Sequence, residues 1–599
     1  MRIERLNEGL YASRPLVERV LRYLTVLNVM GALALLIYRY GFDVSELRGG
    51  LLLTSFDAIF TLFVVIYLTR VLYSFERVRF LRRTWLEALL VFFLLVGGLL
   101  RFLTGDRILE VLLWTFEVAK GDRAYRLILS VFVLTLGVLE ITRATSALSR
   151  VRVKPATLLI ASFLALVGVG TGLLMLPAMT RPPGGMPPLD ALFTATSAAC
   201  VTGLIVVDTA TYFTLKGQLV ILLLIQLGGI GIVTFATFFT TLLSQRMGLR
   251  QQSVIREHLS SETLFEAKGL LRRVISITLV IEALGFALIY LTWGAQAEFY
   301  STRQRLFFSL FHSVSAFCNA GFSLYSNGLY QGLVREAYVL HVVVAGIIIL
   351  GGLGFSTITD LFSRQALRER LKKPWKEWLI GTKMSVYTSL ALIAVGLVLF
   401  LAFEWNNTLA DKTLVPKVIA AFFQSVTTRT AGFNTVDIGA LAPATLIMFM
   451  ALMFIGASPG STGGGIKTNT FLLIAISALA TIRSRTTVEF DRRTIPTDLL
   501  FKAFSVFAFA IAYNFVGILL LTVAEPGKEL LPLIFEQVSA FATVGISMGI
   551  TSDLSALGKG VIIASMFLGR VGTITLALAV SSRMSSSTYR YPTGYVMVG

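Results

Sequence analysis

The chain has 599 residues, 55% of them hydrophobic and 15% charged, with a mean hydropathy of +0.77. That balance excludes an ordinary soluble enzyme, and runs such as TLLIASFLALVGVGTGLLMLPA and VLHVVVAGIIILGGLGF reach the roughly 20 residues needed to span a bilayer core. The net charge of +19 does not point to nucleic acid. Its basic residues cluster between apolar runs, at 77–83, 143–154, 364–376 and 483–493, as expected for cytoplasmic loops beside an anionic leaflet.

Residues 1–154 hold four apolar segments, near 21–39, 50–75, 85–104 and 125–142, and are expected to form an N-terminal four-span membrane block. Met1–Arg19 is polar and basic, and no small-residue cleavage site closes the first apolar run, so no cleavable signal is expected. An N-terminus inside the cell puts both 77–83 and 143–154 on the cytoplasmic side. ILEVLLWTFEVAKGD, at 108–122, is too short and acidic to span and reads as an external amphipathic helix. Asp57, Arg70 and Glu140 lie in or beside apolar runs, where internal ion pairs are expected. The second and third spans bear a slight resemblance to voltage-sensor helices, but YRLILSVFVLTLGVLEITR has no arginine at every third position. A packing or regulatory bundle is the better reading.

From Pro155 the pattern changes and repeats. A span is followed by a short apolar segment of 10–14 residues, too short to cross, and then by another span. Four segments fall into one gap-free frame: FTATSAACVTGL (Phe193–Leu204), FHSVSAFCNAGF (Phe311–Phe322), FFQSVTTRTAGF (Phe422–Phe433) and FEQVSAFATVGI (Phe535–Ile546). Each runs from Phe through small and hydroxyl residues to Gly203, Gly321, Gly432 or Gly545, and these glycines are 118, 111 and 113 residues apart. The chemistry fits dehydrated cations, which need several oxygens at close range; successive backbone carbonyls supply them without fixed charge. Glycine reaches the required backbone angles without a Cβ penalty, and a half-helix ending at the loop directs its negative dipole end toward the ion. The candidate carbonyl positions are Cys200, Val201, Thr202 and Gly203; Cys318, Asn319, Ala320 and Gly321; Arg429, Thr430, Ala431 and Gly432; and Ala542, Thr543, Val544 and Gly545. Packing between membrane helices also favours small residues, but four matches in one frame favour a pore built by a single chain.

MFIGASPGSTGGGIKTNT lies where the second span of the third repeat is expected, and its Gly456, Pro459, Gly460, Gly463, Gly464 and Gly465 cannot sustain a helix. A helix broken beneath the pore loops is a natural gate. A polar connector between two spans is the other reading, and it would reverse the sidedness of 483–493. Arg570 sits within an apolar run, either as a functional charge or as a snorkelling anchor. Lys467 is as readily an anchor as a gating residue. Arg429, in the ion path, would repel a cation, so its side chain is expected behind the loop as a brace. Cys200 and Cys318 share one frame position as small packing groups, and with two cysteines and three histidines neither a disulfide framework nor a metal site is expected.

Over residues 155–599 the chain resembles the Trk/Ktr/HKT superfamily of potassium transporters. The resemblance rests on the four loops together with QLGGIGI (226–232), GGLGF (351–355), RTAGFNTVD (429–437), SPGSTGGGIKT (458–468) and GRVGTIT (569–575). Thr573 departs from a common family proline. The implied fold is an all-α polytopic membrane protein with four pseudo-symmetric helix–pore loop–helix units around one pore. These units are 155–260, 261–376, 377–495 with a broken second helix, and 496–599. The resemblance implies potassium uptake across the cytoplasmic membrane, gated by the intramembrane loop about Gly456–Lys467. It places Arg570 in the cytoplasmic half of the pore. It further implies a homodimer and a separate cytoplasmic nucleotide-binding regulatory subunit. No enzyme activity and no cofactor are expected, potassium being the substrate. The alternatives are a carrier coupled to sodium or protons, against which the scarcity of intramembrane carboxylates counts, or a weakly selective potassium/sodium channel. A non-transporting relative of the fold is less compatible with four intact glycines.

Overall fold

The computed structural model describes residues 2–42, 46–74, 76–104, 155–244, 267–293, 299 and 301–572. Two compact units separate by contact, Met1–Arg152 with Leu176–Ala178, and Val153–Met175 with Met179–Gly599.

The first unit contains α1 (Arg2–Gly41), α2 (Glu46–Leu72), α3 (Arg77–Arg83) and α4 (Trp85–Thr104). Phe56, Phe60, Phe63 and Tyr67 recur along one face of α2 and bury against Val29, Ala32 and Leu36 of α1 and Val91 of α4. Polar groups in this apolar packing are tied internally. Asn28 donates to the Ile59 carbonyl at 3.1 Å, and Arg70 donates to Thr25 Oγ1 at 2.8 Å. The segment 108–122, the fourth apolar run and Glu140 lie outside the described residues.

In the second unit, four short half-helices each follow a longer apolar helix and lead into a loop and a further helix. The half-helices are α6 (Pro188–Ala199), α9 (Thr302–Phe317), α14 (Leu414–Thr427) and α18 (Leu530–Ala542). Each is preceded by a longer apolar helix: α5 (Pro155–Leu174), α8 (Ala267–Thr292), α13 (Ile380–Glu404) or α17 (Thr497–Ala524). The helices that follow differ from one another. α7 (Leu215–Ser244) is one helix of 30 residues, and α19 (Ala556–Val571) runs to Gly572, the end of the described residues, whose φ of +87° is left-handed. The run read as one continuous span is instead α10 (Tyr338–Leu353) and α11 (Phe355–Phe362), bent by 104° at Gly354, whose φ of +86° is left-handed. After it α12 (Arg364–Lys372) leads to α13. In the third repeat α15 (Pro443–Phe454) and α16 (Thr468–Ile482) flank the glycine-rich break, and the strands Glu489–Phe490 and Arg493–Thr494 pair before α17.

Among the described residues of the whole chain, five helices are long and apolar enough to cross a membrane, or six counting the bent pair. Leu284 and Leu291 of α8, Val395 and Val398 of α13, and Phe515 and Val523 of α17 stay exposed, the outward face that lipid would cover. The half-helices are the reverse, with Phe193, Phe311 and Phe535 wholly buried. α9, at 16 residues, exceeds the expected length.

Glycines explain how the half-helices pack so closely. A Cβ on Gly228, Gly351 or Gly569 would overlap the backbone carbonyl of Ala199, Phe317 or Phe541, the same frame position in three repeats. The glycine motifs of α7, α10 and α19 therefore let each second helix lie against the end of its half-helix.

Glu404, wholly buried at the end of α13, holds the start of α15. One oxygen accepts from the Ala442 amide at 2.9 Å and Thr445 Oγ1 at 2.5 Å; the other accepts from Asn407 Nδ2 at 2.8 Å and Thr408 Oγ1 at 2.9 Å. Truncation orphans these donors, so Glu404→Ala is expected to cost about 3 kcal/mol. A clear drop in the thermal midpoint of the detergent-purified protein checks this, and an unchanged midpoint contradicts the capping role.

Candidate functional site

The four framed loops share a backbone that their side chains do not announce. Two residues before each glycine the chain is left-handed, at Val201 (φ 56°), Asn319 (φ 58°), Thr430 (φ 74°) and Thr543 (φ 51°). The glycines are left-handed too, at Gly203 (φ 94°), Gly321 (φ 70°), Gly432 (φ 83°) and Gly545 (φ 86°). β-Branched residues rarely adopt such angles, so the surrounding fold must impose them.

The loops are also neighbours in a closed cycle. A Cβ on Gly203 would lie 2.5 Å from the Ala320 carbonyl oxygen, and one on Gly321 would lie 2.7 Å from that of Ala431. On Gly432 and Gly545 it would overlap the carbonyl oxygens of Val544 and Thr202. Each glycine thus faces the carbonyl before the glycine of the next loop, and the fourth returns to the first.

Inside each loop the amides are satisfied by the half-helix end. The amides of Thr202, Ala320 and Val544 donate to the carbonyls of Ser197, Ser315 and Ser539 at 2.8, 2.7 and 2.9 Å. Ser197 and Ser539 hydroxyls accept from the Gly203 and Gly545 amides, each at 3.1 Å. The third loop is shifted by one residue, with Ala431 donating to the Thr427 carbonyl at 3.0 Å.

Above the glycines a cavity of about 320 Å³ opens, with Gly203, Gly321, Gly432 and Gly545 among its lining. Buried side chains brace its walls to the half-helices. His312 meets Ser323 Oγ at 3.1 Å, Gln424 donates to Thr435 Oγ1 at 3.0 Å, and Glu536 accepts from Ser547 Oγ at 2.7 Å and Thr551 Oγ1 at 2.5 Å. Asp208 lies on the rim, its carboxylate accepting from the Ala210 amide and Thr211 Oγ1, each at 2.9 Å.

On the other side of the ring sits the break between α15 and α16. A Cβ on Gly463 would overlap Thr430 Oγ1, and one on Gly464 would overlap Thr543 Oγ1, so the triple glycine lies directly against two of the loops. Thr462 Oγ1 donates to the Phe317 and Gly351 carbonyls at 3.1 and 3.2 Å. The Ser458 amide donates to the Gly352 carbonyl at 3.0 Å, and Phe355 donates back to that of Gly460 at 3.0 Å.

The predicted cations converge on this segment. Arg570 is buried; one guanidinium nitrogen donates to the Thr462 carbonyl and another to those of Gly228 and Gly229, at 2.7 and 3.3 Å. Lys467 folds back on the Gly463 carbonyl at 2.7 Å. Arg429 reaches Ser389 Oγ at 3.1 Å and the Gly456 carbonyl at 3.5 Å, placing its charge behind its own loop. Gly460 and Gly465 are left-handed, and a Cβ on Gly456 would overlap the Gly464 carbonyl. Cys200 and Cys318 are buried free thiols.

Several carboxylates of the second unit are buried. Besides Glu404 and Glu536, Glu282 of α8 is buried, with one oxygen accepting from Gln226 Nε2 at 3.1 Å and the other without a hydrogen-bond partner among the described residues. The left-handed positions and the His312, Gln424 and Glu536 braces were missed. A common frame position nine before the glycine for His312 and Glu536 was the available signal.

The family model described as TrkH, cation transport protein, matches residues 128–590. The Ktr system potassium uptake protein B of Bacillus subtilis (strain 168) is 37% identical over 451 residues, 75% of this chain and 98% of that protein. The potassium/sodium uptake protein NtpJ of Enterococcus hirae is 34% identical over 458 residues, again 75% and 98%. The crystal structure of the potassium transporter TrkH from Vibrio parahaemolyticus aligns with a TM-score of 0.58 at 17% identity, over 81% of this chain and 97% of that one, a likeness of fold alone.

Arg429 generates a test of the third loop's bracing. Arg429→Met is expected to cost about 2 kcal/mol through the lost bonds to Ser389 and Gly456, with Ser389→Ala costing roughly half as much. Thermal midpoints of both variants decide it, and two wild-type midpoints would leave the brace without energetic weight.

Proposed function

The chain belongs to the TrkH cation transport protein family, and we propose that this multi-pass membrane protein takes up potassium through one pore made of four pseudo-symmetric units. The observation that carries this reading is the closed cycle of left-handed glycines, each against the next loop's carbonyl. Carbonyls at Cys200–Gly203, Cys318–Gly321, Arg429–Gly432 and Ala542–Gly545 replace the water that a potassium ion sheds on leaving the cavity above. No covalent chemistry is required, and potassium is the substrate.

The gate in this reading is the segment Gly456–Lys467. It sits against Thr430 and Thr543 across the exit from the ring, and Arg570 latches it through the Thr462 carbonyl. A positive charge there raises the barrier to a cation, and withdrawing the segment opens the path. We place the N-terminus and the basic segments 77–83, 364–376 and 483–493 on the cytoplasmic side of the cell membrane, following their charge. The basic segments 77–83 and 483–493 suit a cytoplasmic nucleotide-binding regulatory subunit, and a homodimer gives each protomer its own pore.

A second reading, a carrier coupled to sodium or protons, is favoured by one observation: the buried Glu282 carboxyl with an oxygen free of hydrogen bonds. Rubidium uptake that requires a sodium or proton gradient supports that reading, and uptake driven by the potassium gradient alone removes it.

Two further outcomes follow from the pore. In liposomes holding the purified chain, rubidium flux is expected to be blocked by potassium and weakly by sodium. Gly545→Ser should cut that discrimination roughly tenfold, about 1.4 kcal/mol; unchanged ion preference rejects the fourth loop as part of the filter. Deleting Gly463–Gly465, or changing Arg570→Ala, should raise flux. Loss of about 2 kcal/mol of latching bonds predicts up to roughly thirtyfold, whereas folded variants with wild-type flux would rule out the gate.

A further inference from the structure

The stretch from Phe362 to the start of α13 makes no contact with the four loops described above. α12 buries none of its residues. Leu367 and Leu371 stand four apart on one side of the helix, 45% and 82% exposed, and Trp375, three residues beyond its end, is 76% exposed, with Phe362 and Leu379 also exposed. Residues 364–376 carry Arg364, Arg368, Arg370, Lys372, Lys373 and Lys376 against Glu369 alone. Arg370 pairs with Asp360 at 2.5 Å and Lys376 with Glu369, while Arg364, Arg368, Lys372 and Lys373 form no ion pair among the described residues.

The stretch is built to hold its shape. Ser363 caps α12 through the Ala366 amide at 3.2 Å. Asp360 joins its two ends, taking Arg370 on one oxygen and the Leu379 amide, at 3.0 Å, on the other. An apolar stripe flanked by unpaired cations, on a short helix at the mouth of a span, fits a lipid surface of negative charge. A wholly aqueous loop has no use for two exposed leucines on one side and an exposed tryptophan just after them.

We propose that residues 362–379 form a strap that docks on anionic phospholipid, the leucines and Trp375 entering the acyl boundary and the cations meeting headgroup phosphates. The strap is joined by α11 to the bend at Gly354, whose flanking residues, Gly352 and Phe355, are hydrogen-bonded to Ser458 and Gly460 of the intramembrane segment. Docking therefore bears on that segment, a consequence that rests on reading Gly456–Lys467 as the gate.

The test uses the full chain in liposomes carrying brominated phosphatidylglycerol or brominated phosphatidylcholine, with Trp375→Phe subtracted to isolate the Trp375 signal. Stronger quenching by the brominated anionic lipid is expected. Each basic residue at such a surface is worth roughly fivefold in partitioning, so Arg368→Gln/Lys372→Gln/Lys373→Gln should abolish the preference. Equal quenching by both lipids overturns anionic recognition. No quenching by either means that protein, a second copy or another chain, covers the face, and overturns docking. Rubidium flux that changes with phosphatidylglycerol content in the wild type, but not in the triple variant, supports the link to the gate. Lipid-independent flux with Trp375 quenched removes the link and leaves docking standing. No flux in any lipid rejects the functional reading and the link together, while quenching still decides docking.

Discussion

The structure depends on the close approach of four backbones. Each framed glycine sits so near the preceding carbonyl of the next loop that a methyl group would displace it. That approach explains why the loop-facing ends of the half-helices are buried, because only rigid, well-packed supports hold four strained loops in register. It also explains the glycines of α7, α10 and α19, which bring each second helix against the end of a half-helix. Side-chain identity in the loops then matters little, and Val201, Asn319, Thr430 and Thr543 share one backbone conformation despite different chemistry.

The intramembrane segment obeys a second constraint. A helix broken within the membrane leaves carbonyls and amides that no water satisfies, and each must find a partner. Arg570 answers one part, spanning from α19 to α7 and the Thr462 carbonyl. Lys467 answers another by turning onto the triple glycine. The α10 to α11 bend supplies the rest through the Gly352 and Phe355 backbone. These bonds are numerous, and together they hold the segment against the loops.

Much was legible in the sequence. The membrane class followed from composition, and the break between α15 and α16 from its glycines. The bend at Gly354 was not legible, because GGLGF within an apolar run reads equally well as a packing motif inside one continuous helix. Nor were the braces from His312, Gln424 and Glu536, whose residue types differ although they tie comparable wall segments. The fourth N-terminal span and Glu140 lie outside the described residues.

The sequence by itself determined the membrane class, the four-loop frame, the helix break and the family, since each is written in local composition or spacing. Only the tertiary structure decided which loop faces which, what Arg570 and Lys467 hold, and that four unlike residues adopt left-handed angles. The physical reason is that the loop cycle and the hold of Arg570 arise between segments more than 100 residues apart in the chain, as in the bond from Arg570 to Thr462, 108 positions away. A one-dimensional pattern records which groups are available, whereas the partners of a buried charge are chosen by packing around the common axis.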